Sequence, residues 1–399
     1  MGERTYVGFG FGPIQSGLFA YEALKSGNFS SVVVAEIDGG LVEALRDNGG
    51  YYCLNVAHRQ SVSAESMGPV RLLNPMVPED RRVLIEAIAA ADELGTALPS
   101  VAMFAEGGEG SVVSLLAEGL SKSPAGHRRV VYCAENHNRA AEILRDRVKE
   151  AMGGRLDPDL QFLNTVIGKM SGVIADAEEQ SRLKLARLAP RDSRAVLVEE
   201  FDRILITRIS LPSFRRGIGA FEEKADLLPF EEAKLYGHNA IHALIGYLAR
   251  ARGYEYMSEA GEDPRIMEVA REAFIRECGA GLLHRYRGVD DLFTEAGYEA
   301  YAEDLLARIV NPNLADRVSR VIRDSGRKLG WDDRLIGAMR LALAAQVAPV
   351  RLALGAKLAM LSCLRESWER DSISSGEADA VERELLASMA RGEPLVSIR

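Results

Sequence analysis

Cysteine is scarce in this sequence, and the few cysteines are far apart. Only four occur among the 399 residues, at Cys53, Cys133, Cys278 and Cys363, and no two of them have the spacing of metal ligands. This pattern argues against a disulfide framework and a cysteine-based metal site. We expect reduced, mostly buried thiols, as in a cytoplasmic protein.

Long apolar runs and basic blocks are missing as well. No apolar run approaches 18 residues, and the N-terminus leads directly into a short apolar segment, so we expect neither a membrane span nor a signal peptide. The net charge is −9 without any basic cluster, which argues against a nucleic-acid partner. The 399 residues are 47% hydrophobic, enough for two domains with cores of their own.

Histidine is limited to six positions, none of them in an HExxH motif. His238 and His242 are four residues apart, a spacing that can in principle bind a metal ion on one face of a helix. No nearby cysteine or pair of carboxylates completes such a site. We therefore expect no metal.

The N-terminal segment has the pattern of a nucleotide-binding turn. An apolar run at 5–10 is followed by glycines and then by helical periodicity at 18–25. Strand, glycine turn and helix, in this order, are the context of a dinucleotide fingerprint. Gly10 would form the tight turn, and Gly12 would let the backbone approach a pyrophosphate at the helix N-terminus. The expected cofactor-binding residues are Gly10, Gly12, Pro13, Ile14, Gln15 and Glu36.

The fingerprint is imperfect, because Gln15 stands where the third glycine is usual. Gly17, two residues later, offers an alternative close contact between helix and strand. Glu36 follows Gly12 by 24 residues and ends a β-rich segment. A carboxylate there would bind the ribose hydroxyls and repel a 2′-phosphate, which favours NAD over NADP. The alternative is that Glu36 is a solvated residue at a strand end.

Strands and helices alternate along the first half of the chain. This alternation predicts a mostly parallel sheet with helices on both faces. The predicted strands are 5–10, 31–36, 70–73, 100–104, 129–134 and 160–166, and the predicted helices are 79–94, 111–120 and 139–152. From about residue 231 the pattern is almost entirely helical. We predict an α/β chain with a doubly wound sheet in 1–192 and a mainly α-helical substrate domain in 193–399.

Lys234, Asn239 and His242 lie in one segment with helical character. In an α-helix, offsets of five and eight residues correspond to about 140° and about 80° around the axis, within one half of the helix wall. A lysine, an amide and an imidazole aimed into one cleft can take a proton from a hydroxyl and hold the remaining oxygen. The alternative is that these are ordinary polar residues on a helix surface.

The chain resembles the polyol-specific long-chain dehydrogenases over nearly its whole length. The most specific match is the Lys-x4-Asn-x2-His pattern of Lys234, Asn239 and His242. Segments 279–286, 308–314 and 316–321 are also similar to the family, and Glu135-Asn136 is similar to its acidic residue and asparagine after a sheet strand. The resemblance implies an N-terminal Rossmann domain that binds NAD, a mainly helical C-terminal domain, and no metal.

The resemblance also implies a role for each matching residue. Lys234 would be the general acid/base, and Asn136 and Asn239 would donate hydrogen bonds to the reacting oxygen, as an oxyanion hole does. His242 would orient substrate hydroxyls. Arg320 and Lys328 would be further substrate-binding cations.

Several of these residues also have a purely structural interpretation. Asn136 could cap the following helix, and Arg320 could pair with Asp316 on a solvated helix. Arg327 could do the work assigned to Lys328. Two further cations precede the lysine helix and could bind a phosphate or be ordinary loop charges, namely Arg215 and Arg216.

The expected function is interconversion of a polyol or polyol phosphate with its ketose. A chain of about 400 residues suits the sugar-phosphate branch of the family, which makes mannitol 1-phosphate and fructose 6-phosphate the first substrates to test. The alternatives are a free polyol, a hexuronate, or a non-catalytic NAD-binding regulatory protein. The sequence does not distinguish a monomer from a dimer.

Overall fold

The computed structural model describes residues 4–200 and 203–371, with side chains as far as 365. The chain divides into two compact units at the boundary between Leu227 and Leu228. This boundary lies later than the expected one at 192/193, because strands that follow residue 193 pair within the sheets of the first unit.

The first unit holds the strands of both sheets in the described residues. They are β1 (Thr5–Phe9), β2 (Ser31–Ala35), β3 (Tyr52–Ala57), β4 (Val62–Met67), β5 (Arg71–Leu73), β6 (Glu93–Thr96), β7 (Arg129–Cys133), β8 (Leu160–Ile167), β9 (Ser171–Ile174), β10 (Ala195–Glu199), β11 (Ile204–Thr207) and β12 (Phe221–Lys224).

The larger sheet has the order β12-β11-β8-β7-β6-β1-β2-β5. Its strands are parallel from β5 to β8, and β11 is antiparallel to β8. The chain leaves β1 toward β2 on one side and later returns to β6 on the other. This reversal of direction is the switch point of a doubly wound sheet. The smaller sheet has the order β4-β3-β10-β9.

Apolar side chains cover both faces of the larger sheet, as a parallel sheet requires. Side chains alternate between the faces along each strand. Tyr6 and Tyr132 belong to a core shared with the smaller sheet, whereas Val7 and Val131 belong to a second core packed by helices. The predicted α/β fold class is confirmed by this architecture.

The helices of the first unit connect successive strands. The α-helices are α1 (Ala20–Ser26), α2 (Gly39–Asp47), α3 (Pro78–Ala90), α4 (Val112–Ser121), α5 (Ala140–Ala151) and α6 (Ala177–Leu183), with a π-helical segment at Gln15–Phe19 and 3₁₀ segments at Val101–Ala105 and Gly108–Gly110.

One strand prediction was wrong. The segment 100–104 lies in a 3₁₀ segment, and the actual strand is β6, which the predicted helix 79–94 overlaps. The sequence of β6 has no run of β-branched residues and begins with a charged residue. Glu93 is nevertheless fully buried, because its carboxylate accepts hydrogen bonds from Tyr132 and Arg4 at 2.9 and 2.7 Å.

The second unit is helical in its described residues, as predicted. Its α-helices are α7 (Leu228–Glu232), α8 (Asn239–Arg252), α9 (Met257–Gly261), α10 (Pro264–Glu272), α11 (Gly279–Tyr286), α12 (Glu295–Ile309), α13 (Val318–Ile322), α14 (Ser325–Lys328), α15 (Arg334–Ala344) and α16 (Val350–Asp371). Two π-helical segments, Ala233–His238 and Ala273–Cys278, and two 3₁₀ segments, Asp291–Phe293 and Pro312–Leu314, complete it.

Helix α8 is the centre of this unit. All residues from Ala240 to Ala249 except His242 are buried, so the helix is enclosed on nearly every side. A helix that is apolar all round needs neighbours all round, and α13, α16 and α10 pack against it. Within 240–249, His242 is therefore the one residue that is not buried.

Candidate functional site

A cleft of about 790 Å³ lies at the carboxyl ends of β1, β2, β6 and β7. This is the edge of the sheet, beside the switch point, where doubly wound folds bind their ligands. Four of the predicted cofactor residues in the glycine turn line it, and Glu36 joins them from the end of β2. These turn residues are Gly10, Gly12, Pro13 and Ile14.

The glycine turn has the backbone that the fingerprint predicts. Gly10 has a φ of +77°, and a Cβ there would lie 3.1 Å from the Ala97 carbonyl oxygen, so a side chain is excluded on two grounds. A Cβ on Gly12 would meet no atom within 4 Å. Gly12 therefore leaves open space beside the start of the helix, where free backbone N–H groups favour an anion.

Gln15 lies beneath the turn and does not line the cleft. Its side chain is fully buried, and Nε2 donates a hydrogen bond of 2.9 Å to the Tyr6 hydroxyl. A Cβ on Gly8 would lie 2.1 Å from Gln15 Nε2, so a glycine in the strand makes room for the side chain that replaces the helix glycine. Gly17 makes its close contact with Val198 of the smaller sheet.

Glu36 is engaged with the glycine turn. Its two carboxylate oxygens accept hydrogen bonds from the backbone N–H groups of Phe11 and Asp38, at 2.7 and 2.9 Å. The residue is therefore more than a solvated strand end. It fixes the turn and presents a carboxylate to the cleft.

Asn136 follows β7 in an exposed loop of the first unit. It is not the cap of the next helix, because the N-cap of α5 is Arg139, which makes no side-chain capping bond. The preceding Glu135 is buried and accepts hydrogen bonds from Thr96 Oγ1 and Leu98 N, both at 2.9 Å. Glu135 thus fixes the start of the loop that carries Asn136.

Lys234 and Asn239 are joined by a π-helical turn. The backbone N–H of Asn239 donates to the Lys234 carbonyl, an i to i+5 bond, within the segment Ala233–His238. Residues joined by such a bond are about one turn apart and share a face, which corrects the 140° separation expected for an α-helix. Single π-helical turns are frequent at functional sites. A π-helical turn contains one residue more than an α-helical turn, and the periodicity of the sequence gave no sign of this extra residue.

The Lys234 ammonium has an unusual environment for a lysine. Burial lowers the pKa of Lys234 to about 8, an effect that nearby Glu231 opposes and nearby Arg334 strengthens. Lys234 forms no ion pair or hydrogen bond within the described residues. A lysine in this state can be neutral in a useful fraction of molecules near neutral pH.

His242 is held by Asp316. The two side chains meet at 3.0 Å between Nε2 and Oδ2, and Arg320 binds the same carboxylate through Nε and Nη2 at 2.7 and 2.8 Å. Burial alone would raise the pKa of Asp316, but the hydrogen bonds from His242 and Arg320 lower it to about 2. Of the two roles considered for Arg320, the structure contains the ion pair with Asp316.

His238 packs beside this group, with its ring 6.0 Å from that of His242. It is buried, and burial together with neighbouring cations lowers the pKa of His238 well below its usual value. The described residues contain no group of three or more His, Cys, Asp or Glu side chains arranged to hold a metal ion.

Lys328 and Arg334 add two more cations to the second unit. Lys328 is only 3% exposed, and burial together with nearby Arg334 lowers the pKa of Lys328 to about 8. Arg334 is the first residue of α15 and also influences Lys234 and His238. Sequence reasoning assigned Arg334 no role. The available signal in the sequence was that Arg334 directly follows Asp333, the aspartate that caps α15.

The two arginines of the loop before β12 differ in their partners. Arg216 donates to the Glu223 carboxylate at 3.1 Å and to the Phe221 carbonyl, so its guanidinium holds the loop together. The Arg215 side chain is exposed. Among the described residues no helix is long and apolar enough to cross a membrane.

Comparisons with known proteins agree with these features. Residues 226–375 match the model of the mannitol dehydrogenase C-terminal domain. The mannitol-1-phosphate 5-dehydrogenase of Pseudarthrobacter chlorophenolicus is 30% identical over 336 residues, which are 83% of this chain and 78% of that protein.

Solved structures show the same fold. A D-sorbitol dehydrogenase in substrate-free form has a TM-score of 0.72 at 16% identity, covering 91% of this chain and 81% of its own. The Pseudomonas fluorescens mannitol 2-dehydrogenase, in a ternary complex with NAD and D-mannitol, has a TM-score of 0.67 at 15% identity. The match covers 90% of this chain and 79% of that protein. The fold and sequence thus define a dehydrogenase with a Rossmann unit and a helical unit. The chain belongs to the mannitol dehydrogenase family, which confirms the resemblance inferred from its motifs.

Proposed function

We propose that this chain is an NAD-dependent dehydrogenase that interconverts a polyol phosphate and its ketose phosphate without a metal ion. Mannitol 1-phosphate and fructose 6-phosphate are the proposed pair. Family membership and the 30% identity to a mannitol-1-phosphate 5-dehydrogenase support this assignment. The observation that carries it is the partly buried Lys234, whose lowered pKa makes it a usable base, on the same helix face as Asn239.

The proposed chemistry needs a base and a hydrogen-bond donor at one carbon atom. NAD, when bound, accepts the hydride from that carbon. Neutral Lys234 Nζ takes the hydroxyl proton, and in the reverse direction its ammonium returns a proton to the carbonyl oxygen. We assign Asn239 and Asn136 to hydrogen bonds with that oxygen, and His242, held by Asp316, to a neighbouring hydroxyl.

The cleft of the first unit fits a dinucleotide. Gly12 leaves open space at the helix N-terminus where a pyrophosphate would lie, and the Glu36 carboxylate is positioned for a ribose diol. The same carboxylate would repel a 2′-phosphate. This fit supports NAD as the cofactor and Gly10, Gly12, Pro13, Ile14 and Glu36 as residues that contact it.

Substrate class is tested by NADH consumption with fructose 6-phosphate, with fructose and with a hexuronate, before and after dialysis against EDTA. Activity on fructose 6-phosphate that survives EDTA is the expected result. Activity on fructose alone would move the chain to the free-polyol branch, and loss of activity with EDTA would contradict metal independence. NADH binding without turnover of any substrate would favour a regulatory protein.

A further inference from the structure

On sequence grounds, four cations are candidates to bind a substrate phosphate. In the structure, two of them already bind other groups of the chain. Arg320 is held in a two-point ion pair by Asp316, and Arg216 is bound to Glu223 and to backbone carbonyls. A guanidinium already bound in this way has little capacity left for a phosphate. Arg215 and Lys328 remain.

Lys328 is the unusual member of this pair. Its side chain is 3% exposed, and within the described residues it forms no hydrogen bond or ion pair. Burying an ammonium without a partner is costly, so such groups in folded proteins are normally paired or bind a ligand. Arg215, in contrast, is exposed and solvated.

Arg334 supplies a second donor. It begins α15, which packs against α14, the helix that ends at Lys328. Its side chain is only 14% exposed, and its described contact is that of Nε with Asp333 Oδ1 at 2.9 Å. The two Nη atoms make no hydrogen bond in the described structure and are available to a ligand. Asp333 is shared, because it also faces Arg327 at 3.4 Å and accepts from the Arg334 backbone N–H.

The charge around Lys328 is partly offset but remains positive. The charges of Asp324 and Asp333 stabilise the Lys328 ammonium, and those of Arg327 and Arg334 oppose it. The charge of Arg334 also acts on Lys234. Arg334 thus repels both lysines. An anion bound beside Arg334 and Lys328 would offset this repulsion and the cost of burying the Lys328 ammonium.

We propose that Lys328 Nζ and the free Nη atoms of Arg334 bind the phosphate of the substrate. The guanidinium fork matches two phosphate oxygens, and the ammonium acts as a point charge on a third. This inference rests on the proposed function, and it adds Arg334 as the residue that distinguishes a sugar phosphate from a free sugar.

The test is steady-state reduction of fructose 6-phosphate and of fructose by Arg334→Gln and Lys328→Met. Each variant is expected to raise KM for fructose 6-phosphate about 10- to 100-fold, the effect of losing a charge-assisted hydrogen bond. The ratio of kcat/KM for fructose 6-phosphate to kcat/KM for fructose should fall by a similar factor. A change in the pKa of Lys234 caused by these substitutions would alter kcat/KM for both substrates by the same factor. It therefore cancels in the ratio of the two kcat/KM values.

Arg340→Gln is the matched control, because Arg340 lies on the same helix, is exposed and pairs with Asp332. It should leave both substrates unaffected. Arg334→Lys keeps the positive charge but loses the forked guanidinium, so it should give an intermediate KM for fructose 6-phosphate. This result would also show that the site still folds. Equal losses on both substrates, or an unchanged KM for fructose 6-phosphate, would overturn the proposal.

Calorimetry with inorganic phosphate separates this proposal from the proposed function. Wild type should bind phosphate, and Arg334→Gln and Lys328→Met should lose that binding even if neither sugar is a substrate. Phosphate binding that persists in both variants, or is absent from wild type, would contradict the site.

Discussion

His242 and Asp316 meet at 3.0 Å between Nε2 and Oδ2, although 74 residues separate them in the sequence. Because Asp316 also binds Arg320 and has a pKa of about 2, its carboxylate stays ionised at every pH at which the protein is expected to work. An ionised carboxylate accepts a hydrogen bond from the Nε2–H group of the imidazole. We propose that the other ring nitrogen, Nδ1, binds a substrate hydroxyl.

Asp316→Asn should lower kcat/KM by about tenfold, because a charge-assisted hydrogen bond that fixes the His242 tautomer is lost. NADH affinity should not change. Initial rates at limiting substrate provide the measurement. Asp332→Asn, an exposed aspartate paired with Arg340, is the control. A parallel loss in both variants would show a general effect on folding.

Polyol oxidation should depend on pH through Lys234. The base must be neutral, so the rate should rise with pH and level off above the lysine pKa of about 8. Ketose reduction needs the charged form and should fall over the same interval. Lys328 has a similar pKa, so the profile must be repeated in Lys328→Met. A flat rate for oxidation in wild type, or a rise that disappears in Lys328→Met, would argue against Lys234 as the base.

Glu36→Ser should reduce the preference for NAD over NADP by about tenfold or more, because the carboxylate that repels a 2′-phosphate is removed. The affinity for NAD should also fall, since Glu36 holds the backbone of Phe11. The ratio of kcat/KM for the two cofactors is the quantity to measure. Glu43→Gln, an exposed position on α2, serves as the control. An unchanged ratio would mean that Glu36 acts only on the turn.

Gly8→Ala should destabilise the protein by about 1–3 kcal/mol, as overpacking of a core commonly does, because its Cβ would collide with Gln15. Gln15→Gly removes that obstacle, so the double variant should recover much of the loss. Thermal unfolding of the two single variants and the double variant forms a double-mutant cycle. Additive effects would show that the two positions do not interact.

The fold could be predicted from sequence where local patterns are strong. Apolar β-rich runs identified β1, β2 and β7, and helical periodicity identified the second unit. Strand β6 was missed because its buried carboxylate, Glu93, is stabilised by Tyr132 and Arg4, partners that are distant in the sequence. The unit boundary was expected too early, because only strand pairing shows that β11 joins β8.

The residues of the site could be predicted from the sequence better than their arrangement in space. The spacing of Lys234, Asn239 and His242 pointed to one helix, but the π-helical turn that brings Lys234 and Asn239 together has no signature in the periodicity. Asp316 could be paired with Arg320 from the i, i+4 rule. Its contact with His242 depends on how α8 and the segment before α13 pack, which no local pattern contains.

The most direct measurement is the rate of NADH consumption with fructose 6-phosphate, after dialysis against EDTA, for wild type beside Lys234→Ala. Wild type should reduce fructose 6-phosphate, and the variant should be about 100- to 10,000-fold slower, because that is the usual contribution of a general acid/base. NADH binding should be equal in both. A variant that retains more than about a tenth of the wild-type rate, a loss far smaller than this range, would contradict the role of Lys234. A wild type that binds NADH but does not reduce fructose 6-phosphate would contradict the proposed substrate.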